Sequence, residues 1–180
     1  MKHIKLFEEY QSIDKLNSVN DVTLKGDIQL FHYTGKDLGD NVILSPEESI
    51  KNRLSWSKSE YRRSDVPRVF YYLDLEKTER DIATMSKFLY TGFVDGLDIL
   101  KVNDAISQYQ KNPEELLNIN PNAFSAVKEF LDKGGINYDL LLESIKKLFK
   151  GAYYKFADGT EVVIMFYPLK TFKIEYVKKW

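Results

Sequence analysis

A stretch near the C-terminus, residues 152–167, decides the fold with the sequence AYYKFADGTEVVIMFY. Two apolar runs, 152–156 and 162–167, flank the turn residues Ala157-Asp158-Gly159-Thr160. An Asp-Gly pair between two apolar runs is a strong short-range signal for a β-hairpin. The stretch therefore predicts two antiparallel strands, and Pro168 ends the second.

Earlier apolar runs predict further strands. Residues 28–33 form the first core strand, and residues 67–74, with the sequence PRVFYYLD, form a continuous apolar strand that we expect to be central and covered on both faces. Additional strands are predicted over 88–94, 97–102 and 172–176. Phe172, Ile174 and Tyr176 alternate with charged or polar residues, which is typical of a half-buried edge strand.

Helices are predicted between these strands. Within residues 103–150, one apolar stripe spans 123–131 and ends at Gly134-Gly135, and a second spans 138–149 and ends at Gly151. Shorter helices are predicted over 3–17, 46–54 and 77–86. Strands near both ends with helices between them predict an α+β fold.

The composition excludes several classes of protein. The chain has 180 residues and no cysteine, so disulfides, thiol nucleophiles and cysteine-ligated metals are excluded. A net charge of −1 argues against broad electrostatic binding to nucleic acid or membrane. No apolar run approaches the roughly 20 residues of a membrane span, and acidic residues near the N-terminus argue against a secretory signal. We therefore expect a cytoplasmic protein without a bound metal.

Three strand segments carry polar side chains in apolar surroundings: His32-Tyr33-Thr34, Tyr71-Tyr72 and Glu161. Each also has a structural interpretation. The histidine could hydrogen-bond a backbone carbonyl, the tyrosines could belong to the core, and the glutamate could be a solvated hairpin residue. No dinucleotide fingerprint, phosphate loop or paired-histidine zinc motif is present.

Together these segments resemble the histidine–tyrosine–glutamate branch of the ADP-ribosyltransferase fold. Residues 31–34 (FHYT) look like its first motif, 69–74 (VFYYLD) are similar to its second, and 161–168 (EVVIMFYP) resemble its third. The preceding residues 151–154 (GAYY) resemble the strand that phage and toxin members place before the third motif. Residues 1–10 resemble the start of small proteins of T4-like phages.

The resemblance implies a split β-sandwich that binds NAD as a substrate in a cleft. Residues 1–20 would be an N-terminal helix and linker, and 21–180 a single ADP-ribosyltransferase-like domain with a helical insertion at about 103–150. It implies catalytic roles for Glu161, which stabilises positive charge on the ribose, and for His32, which donates to the ribose. Either Tyr71 or Tyr72 would stack on nicotinamide, since consecutive strand residues face opposite ways, and we favour Tyr71 for this role. The other NAD-binding candidates are Tyr33, Thr34, Arg62, Arg63, Arg68, Tyr72 and Tyr90, the arginines for the pyrophosphate.

Three functions are compatible with these residues. The first is an NAD-dependent ADP-ribosyltransferase, a phage effector that modifies a host protein or nucleic acid in the host cytoplasm. The second is a binding or structural protein that keeps this fold without catalysis. The third is a nucleic-acid-binding protein that uses the basic stretch from Lys51 to Arg68.

Overall fold

A computed structural model describes residues 21–49, 66–74, 88–155, 159 and 161–175. The helices predicted over 3–17 and 77–86 lie outside these residues. The helix predicted from Pro46 begins there as expected and is described as far as Ser49, where the Ser49 amide donates to the Ser45 carbonyl. The α+β class predicted from the sequence is confirmed.

The described strands form one eight-stranded mixed sheet in the order β2-β8-β4-β1-β3-β7-β6-β5. Their bounds are β1 Asp27–Thr34, β2 Asn41–Leu44, β3 Val69–Tyr72, β4 Phe88–Asp95, β5 Ile99–Lys101, β6 Gly151–Lys155, β7 Glu161–Met165 and β8 Leu169–Ile174. Only β5 and β6 pair in parallel; every other pairing between these strands is antiparallel. The central strand predicted over 67–74 is confirmed as β3.

Four α-helices connect β5 to β6, where the helical insertion was predicted. They are α1 Val102–Lys111, α2 Pro113–Ile119, α3 Pro121–Asp132 and α4 Tyr138–Lys146. Asparagines cap the last three, because the side chains of Asn112, Asn120 and Asn137 each accept a backbone N–H in the first turn. The predicted end of α3 is confirmed at Gly134 and Gly135, whose φ angles of 101° and 68° suit glycine.

Two sequence predictions are wrong, one about the position of a strand in the sheet and one about the end of a helix. The residues from 172 do not form an edge strand, because β8 lies between β4 and β2, a short strand that the sequence did not predict. On β8 Thr171 is buried and Phe172 is exposed, the reverse of the expected alternation. Gly151 does not end a helix but begins β6, where an added Cβ would lie 2.7 Å from the Ile164 carbonyl oxygen.

The sheet has two faces, which separate neighbouring residues of each strand. The helix face packs against α1–α4 in one apolar cluster that includes Ala152, Tyr154, Val162 and Ile164. The inner face contributes to a second cluster, which includes Leu30, Val69, Tyr71, Ile99, Val163 and Met165. Both clusters consist of buried residues, so the sheet is covered on both sides over its central strands.

The part of the sheet from β1 to β5 is strongly curled. The Leu24 amide donates to the Ile99 carbonyl of β5 at 3.1 Å, although β1 begins only three residues later at Asp27. Three residues span at most about 11 Å. In a flat sheet, the three strands between β1 and β5 would separate them by about 19 Å. The sheet must therefore curve until β5 returns to the start of β1, and the inner face lines the concave side.

Gly96 lies where this curve closes. Its amide donates to the Gly26 carbonyl at 2.8 Å, and an added Cβ would lie 2.5 Å from the Lys25 backbone nitrogen. Only a residue without a side chain allows the two backbone segments to approach this closely.

The junction between β1 and β3 is the narrowest in the sheet. It contains the single register pair Phe31↔Tyr72, whereas β1 and β4 pair along eight residues each. The strands of the first two motifs, β1 and β3, are therefore paired at one position only and diverge from each other beyond it.

Candidate functional site

His32, Tyr71 and Glu161 all project from the inner face. Directly paired residues share a face. The pair Phe31↔Tyr72 therefore puts their neighbours His32 and Tyr71 together on the other face. On the next strand Tyr71 pairs with Val163, and Glu161 lies two residues before Val163 on the same side. The separation expected between the Cα atoms of such diagonal neighbours is about 7–8 Å.

His32 is half-buried at the end of β1, and its ring is fixed by β3. Its Nδ1 lies 2.9 Å from the Phe70 carbonyl oxygen, and its ring centroid lies 5.6 Å from that of Tyr71. A carbonyl oxygen can only accept, so Nδ1 is the donor of this hydrogen bond. In the neutral ring Nε2 then carries the lone pair, which makes it an acceptor and reverses the polarity expected from the sequence.

Tyr71 is fully buried between these groups. Its exposed fraction is 0%, and its hydroxyl has no hydrogen-bond partner in the part of the chain that the structure describes. Burial raises the pKa of its phenol, because the phenolate would lose its hydration. Tyr71 therefore presents a neutral aromatic ring with an unsatisfied polar atom.

Glu161 begins β7, and its side chain is 18% exposed. The Tyr153 hydroxyl donates to Oε1 at 3.0 Å, and Lys155 Nζ lies 3.9 Å from the same oxygen. Both partners lie on β6, where Lys155 pairs directly with Glu161. Sequence reasoning named neither as a site residue. Tyr153 and Lys155 are two residues apart on the strand before the glutamate, so they share a face of that strand. Whether this is the face of Glu161 depends on the hairpin register, which the sequence does not give.

Thr34 and Tyr90 also lie on the inner face, yet their hydroxyls are engaged locally. Thr34 Oγ1 accepts from the Lys36 amide at 3.1 Å. Tyr90 is fully buried, and its hydroxyl accepts from the Leu38 amide at 2.8 Å and lies 3.3 Å from Asp37 Oδ1. Tyr90 thus holds the loop after β1 and does not offer an open ring face in this structure.

A lysine reinforces the same loop. Lys173 Nζ lies 2.9 Å from both carboxylate oxygens of Asp37. This hydrogen bond lowers the pKa of Asp37 and raises that of Lys173. The loop after β1 is therefore tied to β4 and β8 beside His32.

Three other candidates point away from the inner face. Tyr33 and Tyr72 face the opposite side, where their ring centroids are 6.3 Å apart. Arg68 is 2% exposed, and its guanidinium donates to the Val66 carbonyl at 2.8 Å. Its Cζ atom lies 5.5 Å from the ring centroid of Phe70. The structure does not bring these three to His32 and Glu161. Arg62 and Arg63 lie outside the described residues.

Searches against protein-family models, curated proteins and solved structures found no match to this chain. No helix within the described ranges is long and apolar enough to cross a membrane. The same residues contain no group of three or more histidine, aspartate or glutamate side chains that could hold a metal ion.

The inner face therefore combines three kinds of chemistry. Glu161 supplies a carboxylate with one oxygen hydrogen-bonded by Tyr153, His32 a fixed imidazole, and Tyr71 a buried aromatic ring. A carboxylate can stabilise a developing positive charge, and an imidazole acceptor can orient a hydroxyl group. This combination suits a sugar that acquires positive charge during reaction.

Proposed function

We propose that the protein is an NAD-dependent ADP-ribosyltransferase of the split β-sandwich type. The observation that supports this best is the shared inner face of His32, Tyr71 and Glu161 on β1, β3 and β7. The three motifs are distant in sequence and individually short. The strand order and register put their side chains on one face of the sheet.

The proposed reaction breaks the bond between nicotinamide and the ribose C1′ of NAD. Nicotinamide leaves with the bonding electron pair, and an acceptor nucleophile, or water in hydrolysis, bonds to C1′ and releases its proton. Positive charge develops on the ribose in the transition state, and the Glu161 carboxylate stabilises it. His32 Nε2 would accept a hydrogen bond from a ribose hydroxyl and hold the sugar beside the carboxylate.

NAD is a substrate in this proposal, and the described residues fit its ribose better than its phosphates. His32 and Glu161 are both partly exposed on the concave side of the sheet. Arg68, predicted for the pyrophosphate, is buried at the helix face. The phosphate role therefore passes to Arg62 and Arg63, which remain predictions outside the described residues.

Following the T4-like character of the N-terminus, we further propose a phage effector that acts in the host cytoplasm. Its acceptor would be a host protein or a nucleic acid. An acceptor screen that follows labelled ADP-ribose from NAD onto host protein and nucleic acid fractions distinguishes the two.

The test of the enzymatic proposal is nicotinamide release from NAD by the purified protein. NAD should raise the melting temperature, and Glu161→Ala should abolish release because the transition-state charge loses its partner. Glu143→Ala is the matched control, since Glu143 is an exposed glutamate on α4 in the helical layer. Equal activity of wild type and Glu161→Ala would contradict the proposal.

A second function, a catalytically inactive binding or structural protein with this fold, is favoured by one observation. Tyr71 and Tyr90 are both 0% exposed, so neither offers a ring face for stacking without local movement. NAD binding without nicotinamide release would support this alternative. The absence of NAD binding at millimolar concentration would also favour it over the enzyme, as a protein that keeps the fold but does not use NAD.

The third function, nucleic-acid binding through the basic stretch from Lys51 to Arg68, depends on residues that are mostly outside the described ranges. Its one described arginine, Arg68, is buried and not available for a phosphate backbone in this structure. A salt-dependent gel shift of DNA or RNA that Arg62→Ala/Arg63→Ala weakens would support it.

A further inference from the structure

We infer that Tyr153 is the positioning residue of Glu161, which holds one carboxylate oxygen so that the other is presented to the substrate. This inference rests on the proposed function and names a residue that the three motifs do not contain. Tyr153 lies in the middle of β6, one strand further from His32 than Glu161 itself.

The contacts of the carboxylate are asymmetric. The Tyr153 hydroxyl donates to Oε1 at 3.0 Å, and the Lys155 ammonium lies 3.9 Å from the same oxygen. A carboxylate that accepts a hydrogen bond on one oxygen from a fixed donor has a preferred rotation about its last torsion angle. Because Oε1 is held, the direction of Oε2 is also set. A carboxylate that must place its charge close to a ribose needs such a fixed orientation.

Tyr153 is better suited than Lys155 to define this orientation. The Lys155 side chain is 59% exposed, so water and salt screen its charge and its long chain samples several rotamers. Tyr153 is half-buried, packs against the inner-face cluster, and has few torsion angles to restrict. Its hydroxyl therefore acts from a fixed point.

The neighbouring Tyr154 provides an internal contrast. It lies on the opposite face of β6 in the cluster packed against the helices, with its ring centroid 6.1 Å from that of Tyr138. Tyr153 and Tyr154 thus have the same side chain and the same strand, but only one contacts the candidate carboxylate.

The experiment compares Tyr153→Phe with Tyr154→Phe in nicotinamide release and NAD binding. Loss of the hydroxyl in Tyr153→Phe should lower kcat by about 10–100-fold, the usual effect of removing a group that orients a reacting residue. KM for NAD should stay within about threefold and the melting temperature close to that of wild type, because ring packing is retained. Tyr154→Phe should retain the wild-type kcat and KM.

The outcomes separate this inference from the function on which it rests. An active wild type with an equally active Tyr153→Phe overturns the positioning role alone. A parallel fall of kcat, NAD affinity and melting temperature in Tyr153→Phe also overturns it, since that pattern indicates a structural role. A wild type that releases no nicotinamide overturns the proposed function, and the inference with it.

Discussion

The two faces of the sheet use the same kinds of residue for different purposes. On the helix face, Tyr154, Val162 and Ile164 pack against α1–α4 in a continuous apolar layer. On the inner face, polar contacts link neighbouring strands at the edge of an apolar cluster: Tyr153 of β6 donates to Glu161 of β7, and His32 of β1 donates to the Phe70 carbonyl of β3. The candidate site therefore occupies one side of strands whose other side stabilises the fold.

This division depends on the curl of the sheet, so the largest expected effect comes from the point where the curl closes. Gly96→Ala should lower the free energy of unfolding by about 1–3 kcal/mol or more, because the new Cβ meets the backbone of Lys25 and Leu24, which cannot rotate away. Urea denaturation followed by circular dichroism measures the change.

The matched control for the curl is Leu97→Ala, because Leu97 lies beside Gly96 in the 3₁₀ turn Gly96–Asp98. Leu97 is 59% exposed, so its truncation should change stability by no more than about 0.5 kcal/mol. A Gly96→Ala protein as stable as Leu97→Ala would contradict the close approach of the two segments.

A smaller effect is expected at Tyr71, which is fully buried on the inner face. Tyr71→Phe should raise the free energy of unfolding by about 1 kcal/mol, because it removes a buried hydroxyl that has no hydrogen-bond partner among the described residues. Thermal and urea unfolding of the ligand-free protein measure it. A decrease in stability would mean that the hydroxyl is satisfied, for instance by an ordered water.

The smallest effect concerns the loop that Tyr90 and Lys173 hold beside His32. The hydrogen bond from Lys173 lowers the pKa of Asp37 below its ordinary value of 3.8, so the folded state gains stability above that pH. This contribution is lost as the pH falls through the lowered pKa. Asp37→Asn should therefore have a slightly lower melting temperature than wild type at pH 7.

The control for this prediction is the same comparison of wild type and Asp37→Asn at acid pH. As the pH falls below 3.8, wild-type Asp37 becomes protonated and the difference from Asp37→Asn should shrink towards zero. A difference that is equal at neutral and acid pH would show that the substitution acts through something other than the ion pair.

Much of the fold could be predicted from local patterns. The hairpin around Asp158-Gly159, the strands at 28–33 and 67–74, and the α3 end at Gly134-Gly135 follow from turn chemistry and periodicity, which act within a few residues. Short β2 was missed because four residues carry too little periodic signal. The edge position predicted for β8 failed because no local pattern reports which strand lies beside it.

The candidate site was only partly predictable for the same reason. His32, Tyr71 and Glu161 could be selected as polar residues in apolar strands. Tyr153 could not, because its contact with Glu161 depends on the register Lys155↔Glu161, which leaves a five-residue loop. A two-residue Asp158-Gly159 turn would have shifted the register by one and turned Tyr154 towards Glu161 instead.

The sequence by itself determined the α+β class, the helical insertion and the identity of the polar residues that end or open the core strands, since these depend on short-range periodicity. Only the tertiary structure decided that Tyr71 and Tyr153 share a face with His32 and Glu161, while Tyr72, Tyr154 and Arg68 lie on the other. The physical reason is the two-residue repeat of a strand: one step in register, or one reversal of strand order, exchanges the two faces, and both are decided by contacts between distant segments.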